Sequence, residues 1–531
     1  SIGGLFSYPF ALANVLVVEL ARQEHLSVLD DSAGDADAAA GHLGSLGVSA
    51  DQYTLIQSSV QTEWTRDWGP HQIFSAAGEW SIVDPLFEGY PWVGPTCGPI
   101  SSPGGYNGDD AVNPQLAAFW NAPLVDLPAY LVGGNFLVDG FGRGFATCTQ
   151  VAENLQIMTE TQFRQILRDE LGVDNLIILE PTEDIGIQHI DCWMKVVDEE
   201  TLIVKRAPDW HEEHDRIEAN VALLESLTTR WGRPYRIVRL DCPPFNGSEE
   251  IANYTNFLIL NDRVYVPTFG IPADEAALST IRDVMPGYEV IGFPYSNWYY
   301  YDALHCRTRA VFDADMVRLM HAPPRPGEPA MWTDPFSIDF QLEDMSGTGV
   351  ETAVVHWRIS SASGSNWRTA SATEIDPGAW RAQIPDLEPG VSINYWIEAG
   401  NLAGRTATLP RVAPDHVYTR PITPNGLAVD VVDVPAVVPP RAVTLLDVTI
   451  DDPGGELLVT SPELRVRVDQ GPWARVPLLP VGGADWMALL PAAACGETLE
   501  WHIAVEGAIS GERHSPPGAP AAFHTTFIGA Y

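Results

Sequence analysis

Residues 189–206, HIDCWMKVVDEETLIVKR, decide the fold of the first part of the chain. Two apolar runs flank the polar turn Asp198-Glu199-Glu200, a pattern that predicts two short antiparallel strands. A helix from about His211 to Trp231 and a strand from Tyr235 to Leu240 are predicted to follow. This stretch therefore predicts one ββαβ unit.

The same order of elements is predicted in two further segments, one before and one after this unit. Their strands and helices are predicted at 135–148, 159–171 and 176–179, and at 256–267, 274–285 and 288–293. Three units at a spacing of about sixty residues form an internal repeat. A ring of such units brings the leading edge of each first strand to a common centre.

Polar residues lie at these leading edges. Asp67 precedes the apolar run 71–74, His189 and Asp191 open the second visible hairpin, and Asn256 opens the third. Cys306 lies in the last strand-like segment, YDALHCRTR at 301–309. The repeat therefore predicts that residues more than 200 positions apart meet at one site.

One thiol, one imidazole and two carboxylates are the groups needed to attack a guanidinium carbon. Paired carboxylates hold this planar cation through bidentate hydrogen bonds, a role that fits Asp67 and Asp191. A thiolate is a strong nucleophile whose pKa falls beside a cation, a role that fits Cys306. Protonated His189 is expected to donate a proton to departing ammonia and later to activate water. Asn256 is expected to hold the cysteine loop or the substrate amide.

Two tryptophans flank this set. Trp64 and Trp193 are expected to enclose the guanidinium plane through cation–π contacts, although both fit a hydrophobic core equally well. A lone cysteine is usually buried filler, and Asp67 beside Arg66 is compatible with a local ion pair. The joint occurrence of these residues at equivalent points of one repeat favours a site.

The composition changes after residue 313. The Pro-rich segment 321–329, HAPPRPGEP, is typical of a linker, and the short alternating strands after it predict all-β sandwiches. An internal match at a spacing of 106 residues predicts two copies of the sandwich. The matches pair Trp367, Trp380, Pro385, Gly390 and Tyr395 with Trp473, Trp486, Pro491, Gly496 and Trp501. The predicted domains are 1–322, 323–430 and 431–531, and the two sandwiches are expected to be structural or adhesive.

The charge balance excludes some functions. With 70 acidic and 30 basic residues, the formal charge of −40 repels the phosphate backbone, so no nucleic-acid partner is expected. No run reaches the roughly 18 apolar residues of a membrane span. The six cysteines lack CxxC spacing, so neither a disulfide framework nor a zinc site is expected. The run HEEH at 211–214 lacks HExxH spacing and is expected to begin an exposed helix.

Five ordered blocks resemble the signature sequences of the bacterial peptidylarginine deiminases, which are related to the agmatine deiminases within the guanidino-modifying pentein superfamily. The blocks are WTRDWGP at 64–70, GGNFLVDG at 133–140, HIDCW at 189–193, NYTN at 253–256 and ALHCRT at 303–308. The resemblance covers residues 1 to about 320. It implies an α/β fold, a five-bladed ββαβ propeller (pentein), followed here by two immunoglobulin-like all-β sandwich domains.

The resemblance also implies hydrolysis of arginine in peptides or proteins to citrulline and ammonia through a covalent thiouronium intermediate. The implied catalytic residues are Cys306 as nucleophile, His189 as general acid/base, Asp67 and Asp191 as guanidinium ligands, and Asn256 as a supporting residue. The expected substrate-binding residues are Trp64, Ile187 and Trp193. No cofactor or metal is implied, although the acidic loops leave calcium open. The partners are expected to be arginine-containing peptides or proteins, and the chain is expected to be a monomer.

Three departures from the family pattern concern the substrate. Val132 stands where agmatine deiminases usually carry an acid, which disfavours free agmatine. No Lys or Arg occurs between Arg66 and Arg143, so the turn YNGDD at 106–110 has no nearby cation to bind a C-terminal carboxylate. Gly186 replaces a second family aromatic. The expected consequence is weaker selection for C-terminal arginine and acceptance of internal arginines.

Other functions stay open at this point. One alternative is a deiminase of small guanidines such as agmatine or free arginine, and another is a surface-binding protein in which the sandwiches act and the propeller is a scaffold. Amidino transfer uses the same nucleophile. A protease is disfavoured, because two carboxylates in the cleft serve no purpose in peptide-bond attack. The start at Ser1, without Met or a signal-like segment, favours a secreted or cell-surface protein whose signal peptide has been removed.

Overall fold

The chain is described as a computed structural model with two compact units. The residues described are 10–90, 97, 105–184, 186–245, 247, 249–299, 301–332, 335–360, 366–388, 390–423, 427–452, 458–507, 511–516, 519–520 and 522–529. The first unit holds the described residues up to Leu319 together with Glu343–Glu351 and Ala399–His416. The second holds Met320–Leu342, Thr352–Glu398 and the described residues from Val417 onwards. Within these ranges, no helix has the length and apolar character needed to cross a membrane.

The first unit alternates short strands with helices. In chain order its elements are α1 (Asn14–Gln23), β1 (Leu26–Asp30), α2 (Ala33–Ser45), β2 (Tyr53–Gln57), α3 (Thr65–Trp68), β3 (His71–Phe74), β4 (Trp80–Leu86), α4 (Asn107–Asp110), α5 (Val112–Trp120), β5 (Leu124–Tyr130), β6 (Leu137–Val138), β7 (Arg143–Thr147), α6 (Cys148–Asn154), α7 (Glu160–Leu171), β8 (Asn175–Leu179), β9 (Met194–Val196), β10 (Thr201–Arg206), α8 (His214–Glu225), β11 (Arg236–Asp241), β12 (Leu258–Leu260), β13 (Arg263–Thr268), α9 (Asp274–Val284) and β14 (Glu289–Pro294).

Four three-stranded sheets in this unit share one pattern, in which the first two strands are antiparallel and the third is parallel to the second. These sheets are β3-β4-β5, β6-β7-β8, β9-β10-β11 and β12-β13-β14. A helix lies in the connection to each parallel strand, and β1 and β2 form a parallel pair with α2 between them. The three predicted ββαβ units are confirmed, with bounds shifted by a few residues. The sheet β3-β4-β5 and the pair β1-β2 were not predicted.

The repeat follows from burial on both faces of each central strand. Leu202, Ile203 and Val204 are consecutive in β10 and all have no exposed surface, as expected for a parallel strand covered on two sides. Helix α8 covers one face with Ile217 and Leu224, which are also fully buried. Helical spacing of these apolar positions places them on one side of α8.

The remaining strands form all-β sheets. They are β15 (Val317–Met320), β16 (Ala330–Met331), β17 (Phe336–Asp344), β18 (Val350–Ile359), β19 (Arg368–Asp376), β20 (Ala379–Ile384), β21 (Ser392–Asn401), β22 (Thr406–Leu409), β23 (Tyr418–Thr423), β24 (Ala428–Val431), β25 (Val437–Val438), β26 (Thr444–Asp451), β27 (Glu463–Val468), β28 (Ala474–Pro477), β29 (Leu479–Gly482), β30 (Asp485–Leu490), β31 (Thr498–Gly507), β32 (Gly511–Ser515) and β33 (His524–Ile528). The strands β15 to β23 pair with one another, and β24 to β33 form two further sheets.

The residues that match at a spacing of 106 positions lie in equivalent strands. Trp380 in β20 pairs with Phe340 of β17, and Trp486 in β30 pairs with Val448 of β26. Strands β21 and β31 carry the next matched pair of aromatic residues, and both side chains are buried. The duplication is thus present in the strand pairing, whereas the immunoglobulin-like identity, the boundaries 323–430 and 431–531 and the closure of the propeller stay predictions.

Candidate active site

Asp67 is delivered by the short helix α3. Its side chain is 2% exposed, and both of its oxygens are held. Oδ1 accepts a hydrogen bond from the Gly134 backbone N at 2.9 Å, and Oδ2 accepts one from the Tyr90 hydroxyl at 2.8 Å. The Arg66 backbone N donates to the Cys306 carbonyl at 3.1 Å, so α3 is tied directly to the cysteine segment.

His189 and Asp191 lie on either side of the start of a 3₁₀ turn, Ile190–Cys192. Asn135 fixes this turn, because its Oδ1 accepts hydrogen bonds from the backbone N of Ile190 at 3.2 Å and of Thr147 at 3.0 Å. The block around Gly133-Gly134-Asn135 therefore positions the imidazole and the second carboxylate. The Asp191 side chain has no exposed surface.

Asn256 holds the nucleophile segment. Its Nδ2 donates to Cys306 Sγ at 3.2 Å, and its Oδ1 accepts from the backbone N of His305 at 2.9 Å and of Cys306 at 3.3 Å. Cys306 Sγ lies 3.6 Å from Asp191 Oδ2. The thiol is thus placed between an amide donor and a carboxylate.

Gly134 marks the point where these groups converge. A Cβ on this residue would lie 2.5 Å from Asp67 Oδ1, 2.7 Å from His189 Nδ1 and 3.4 Å from Asp191 Oδ1. Only glycine fits there, since real Cβ contacts are longer than the first two distances. The structure thus brings together the two carboxylates and the imidazole around one point, with Cys306 attached through Asp191.

The three predicted substrate-binding residues occupy different places. Trp64 precedes α3 and packs edge to face against Tyr90, with ring centroids 5.2 Å apart. Trp193 is 1% exposed and belongs to the hydrophobic core around β9 and β10, and Ile187 is partly buried against the same core. Trp64 and Tyr90 therefore form the aromatic pair beside Asp67, and a substrate role of Ile187 and Trp193 stays a prediction.

Tyr90 is a site residue that sequence reasoning missed. Besides its bond to Asp67, its ring lies 5.9 Å from the His189 ring. Nothing in its sequence context, EGYPW at 88–92, distinguishes it from other aromatics in loops. His305 also belongs to the site, because its Nδ1 lies 2.7 Å from Asp191 Oδ2, a contact that the sequence pattern does not indicate.

Burial dominates the electrostatics of the carboxylates. It raises the pKa of Asp67 well above its usual range, and the Asp191 carboxylate adds to this rise. Burial also raises the pKa of Asp191 to about 7, while Lys195 and Arg66 oppose the rise. A bound cation would stabilise the ionised form of these two buried carboxylates, so the pair is suited to bind a cation.

Burial shifts the pKa values of the imidazole and the thiol in the direction that favours their neutral forms. Burial lowers the pKa of His189 to about 3. Burial raises the pKa of Cys306 well above its usual value, and the charge of Asp191 adds to it. The protonated His189 expected from sequence therefore requires a proton that arrives during the reaction.

Two acidic residues near the site have local partners. Asp109, from the turn at 106–110, accepts hydrogen bonds from the backbone N of Gln61 at 2.6 Å and of Thr62 at 3.1 Å. Burial raises the pKa of Glu183 to about 7, and its Oε2 lies 2.2 Å from where a Gly186 Cβ would be. Gly186 thus leaves room for a buried carboxylate beside the loop that leads to His189.

One sequence expectation about these residue types requires correction, and another is confirmed in part. A disulfide joins Cys97 to Cys148, although the spacing of the cysteines did not predict one. The HEEH run lies at the start of α8, as predicted, and Glu213 is the N-cap residue, but Glu213 is 2% exposed and pairs with Lys205 at 2.6 Å. The two histidines of the run bind backbone carbonyls of Glu249 and Ala207, each at 3.1 Å.

Comparison with known proteins places this arrangement in a family context. Residues 11–311 match the family model described as Porphyromonas-type peptidyl-arginine deiminase. A Shewanella sp. (strain MR-4) protein named as an agmatine deiminase is 26% identical over 276 residues, which are 45% of this chain and 70% of that protein.

Two solved structures are also similar. A Porphyromonas gingivalis protein named as an arginine deiminase is 24% identical, with a TM-score of 0.47, and the match covers 57% of this chain and 89% of that one. The agmatine deiminase of Enterococcus faecalis is 22% identical, with a TM-score of 0.46, over 55% of this chain and 85% of that one.

Proposed function

The chain belongs to the Porphyromonas-type peptidyl-arginine deiminase family, whose members are hydrolases of guanidino C–N bonds, and we propose that it converts arginine in peptides or proteins to citrulline and ammonia. The observation that carries this proposal is the convergence at Gly134, where two carboxylates and an imidazole surround one point. Cys306, 3.6 Å from Asp191 Oδ2, supplies the nucleophile.

In the proposed first half-reaction, the guanidinium cation binds between Asp67 and Asp191. Its charge favours the thiolate of Cys306, and the thiol proton passes to His189. Sγ attacks the guanidinium carbon and forms an S–C bond. Protonated His189 donates to the terminal nitrogen, the C–N bond breaks, and ammonia leaves, so that a thiouronium intermediate remains on Cys306.

In the second half-reaction, water attacks the carbon of the thiouronium. Neutral His189 accepts a proton from this water, so a C–O bond forms as the S–C bond breaks. Cys306 leaves as the thiolate and is then reprotonated, and the product carries a ureido group. The balance is one guanidinium and one water consumed, and one citrulline side chain and one ammonium released.

The absence of basic residues from one segment of the sequence supports acceptance of internal arginines in peptides. No Lys or Arg occurs from residue 67 to residue 142, and Asp109 is committed to Gln61 and Thr62. This segment therefore offers no cation to bind the carboxylate of a C-terminal arginine. We propose that internal and C-terminal arginines react at comparable rates.

A second candidate is a deiminase of small guanidines. The Shewanella relative named as an agmatine deiminase favours it, as does the buried Glu183, a carboxylate suited to an amine at the far end of a small substrate. Val132 before Gly133 counts against agmatine, because this position offers no acid.

Ammonia release from a blocked peptide with internal arginine, from a peptide with C-terminal arginine, from free arginine and from agmatine separates these candidates. We expect turnover of both peptides with kcat/KM values within about threefold of each other, and at least tenfold lower values for agmatine. A strong preference for C-terminal arginine overturns the specificity, and a preference for agmatine favours the second candidate.

Cys306→Ala is expected to fold and to lose all turnover; retained turnover contradicts the mechanism.

The architecture supports three further proposals. We propose that the five small sheets of the first unit are the five blades of a propeller, and that β15 to β33 form two immunoglobulin-like domains. A surface or secreted location is proposed with them, because adhesive sandwich domains would hold the enzyme near extracellular peptides. A crystal structure and fractionation of the native organism test these three points.

A further inference from the structure

His305, the residue directly before the nucleophile, binds the carboxylate that the nucleophile also contacts. Its Nδ1 lies 2.7 Å from Asp191 Oδ2, and Cys306 Sγ lies 3.6 Å from the same oxygen. The other oxygen, Oδ1, faces the point near Gly134 shared with Asp67 and His189. The two oxygens of Asp191 therefore have different neighbours.

The backbone of His305 is held at both its N–H and its carbonyl. Its backbone N donates to Asn256 O at 3.0 Å and to Asn256 Oδ1 at 2.9 Å, and its carbonyl accepts from Arg66 Nε at 3.3 Å. The residue is 5% exposed. Rotation of the Asp191 carboxylate would therefore break its contact with a buried residue whose backbone is fixed.

The groups around His305 favour its neutral form. Burial lowers its pKa well below the usual value, and the cations Arg66, Lys195 and Arg309 lower it further. Asp191 is the carboxylate in direct contact. A neutral imidazole with its proton on Nδ1 donates a hydrogen bond to Oδ2, because the oxygens of an ionised carboxylate can only accept hydrogen bonds.

We propose that His305 is a positioning residue, whose Nδ1–H fixes Oδ2 of Asp191 beside Cys306 and so keeps Oδ1 directed at the guanidinium. This inference rests on the proposed function, because that function supplies the guanidinium that Asp191 binds. His305 itself does not touch the substrate. Loss of the donor frees Asp191 to turn. It also leaves the charge of ionised Asp191 without a donor, so the carboxylate repels the Cys306 thiolate more strongly.

Three substitutions separate positioning from simple packing. His305→Asn places an amide N–H close to the position of Nδ1, His305→Gln places it farther out, and His305→Leu has no donor. We expect His305→Asn to stay within about threefold of the wild type in kcat/KM, and the other two to lose about 100-fold, chiefly through KM. Circular dichroism checks that each variant folds.

Alkylation of Cys306 by iodoacetamide gives a readout that needs no substrate turnover. The rate is followed from about pH 6 to about pH 10 by mass spectrometry of the Cys306 peptide, because the exposed Cys495 also reacts. We expect the alkylation rate at each pH to fall about tenfold in His305→Gln and His305→Leu, as a one-unit rise in the pKa of Cys306 requires, and to stay unchanged in His305→Asn.

Equal alkylation rates in all variants, or an equal loss of kcat/KM in all three, overturn the inference. If His305→Leu does not fold, the comparison of His305→Gln with His305→Asn tests the inference, since both side chains keep an amide. A wild type that turns over no guanidino compound defeats the proposed function, whereas the alkylation profile still tests the contact between His305 and Asp191.

Discussion

At the scale of the residue, the site is defined by carboxylates that are costly to ionise. Asp67 and Asp191 are both buried, and burial raises the pKa of each, that of Asp191 to about 7. Burial of a charge is unfavourable, so these two carboxylates hold protons at neutral pH more readily than exposed carboxylates do. The arriving guanidinium stabilises the ionised form and replaces a proton.

This predicts a pH dependence of substrate binding. Because the carboxylates bind the cation only when ionised, KM is expected to fall about tenfold between pH 6 and pH 8. Steady-state kinetics across this range measure it, with Asp84→Asn as the control. Asp84 has a pKa raised to about 6, chiefly by burial, but lies outside the site, so its removal should leave the profile unchanged. A flat KM contradicts the assignment of the carboxylates.

Tyr90 supports a second prediction at this scale. Its hydroxyl donates to Asp67 Oδ2 at 2.8 Å. Tyr90→Phe keeps the ring beside Trp64 but leaves this buried oxygen without its donor, so kcat/KM should fall about tenfold. Tyr106→Phe is the matched control, because Tyr106 packs in the same aromatic cluster through its ring. Equal activities of Tyr90→Phe and the wild type exclude a role of the hydroxyl.

The blocks that carry chemistry were predictable, and so was the support that Asn256 gives to the cysteine segment, but the roles of Tyr90 and His305 were not. Asp67, Asp191 and Cys306 occur in polar segments at repeated positions, which a sequence pattern shows. Tyr90 lies in an irregular loop without periodicity. His305 was visible beside Cys306, yet only the fold reveals that it binds a carboxylate 114 positions away.

At the scale of the element, prediction succeeded where hairpin, helix and strand follow closely in sequence. The units that contain β6–β8, β9–β11 and β12–β14 have this form. In the missed sheet, β5 pairs in parallel with β4 over the connection 87–123, which is the longest of the four. Parallel pairing over such a connection leaves no local sequence pattern, because the partner strand is distant.

Helix α7 gives a stability prediction that does not depend on the reaction. The Thr159 side chain accepts from the Gln162 backbone N at 3.3 Å, and the Gln162 side chain accepts from the Thr159 backbone N at 2.9 Å, a capping box. Thr159→Ala should lower the free energy of unfolding by about 1 kcal/mol. Urea denaturation measures it. Thr161→Ala, an exposed position in the same helix, should change it by less than about 0.5 kcal/mol; an equal effect of both contradicts the role of the cap.

At the scale of the whole molecule, the first unit is discontinuous in sequence. Its two distant segments, Glu343–Glu351 and Ala399–His416, are anchored by Asn401, whose Nδ2 donates to the carbonyl of Asp315 and to Asp344 Oδ1, each at 2.8 Å. A boundary at residue 322 therefore separates these segments from the unit to which they belong.

This arrangement predicts the effect of truncation. A chain that ends after Ala322 lacks Asn401 and also Val412, whose side chain lies 2.7 Å from where a Gly287 Cβ would be. The loss of these buried contacts should lower the Tm of the unit by about 5 °C. A chain that ends after Thr423 keeps both segments and should match the full chain in Tm and kcat/KM.

Differential scanning calorimetry compares the Tm values of the three chains. If the shorter chain melts with the full one, residues 399–416 contribute nothing to the catalytic unit, and residue 322 is a true domain boundary. If both truncated chains are destabilised, the stabilising contribution comes from residues beyond Thr423.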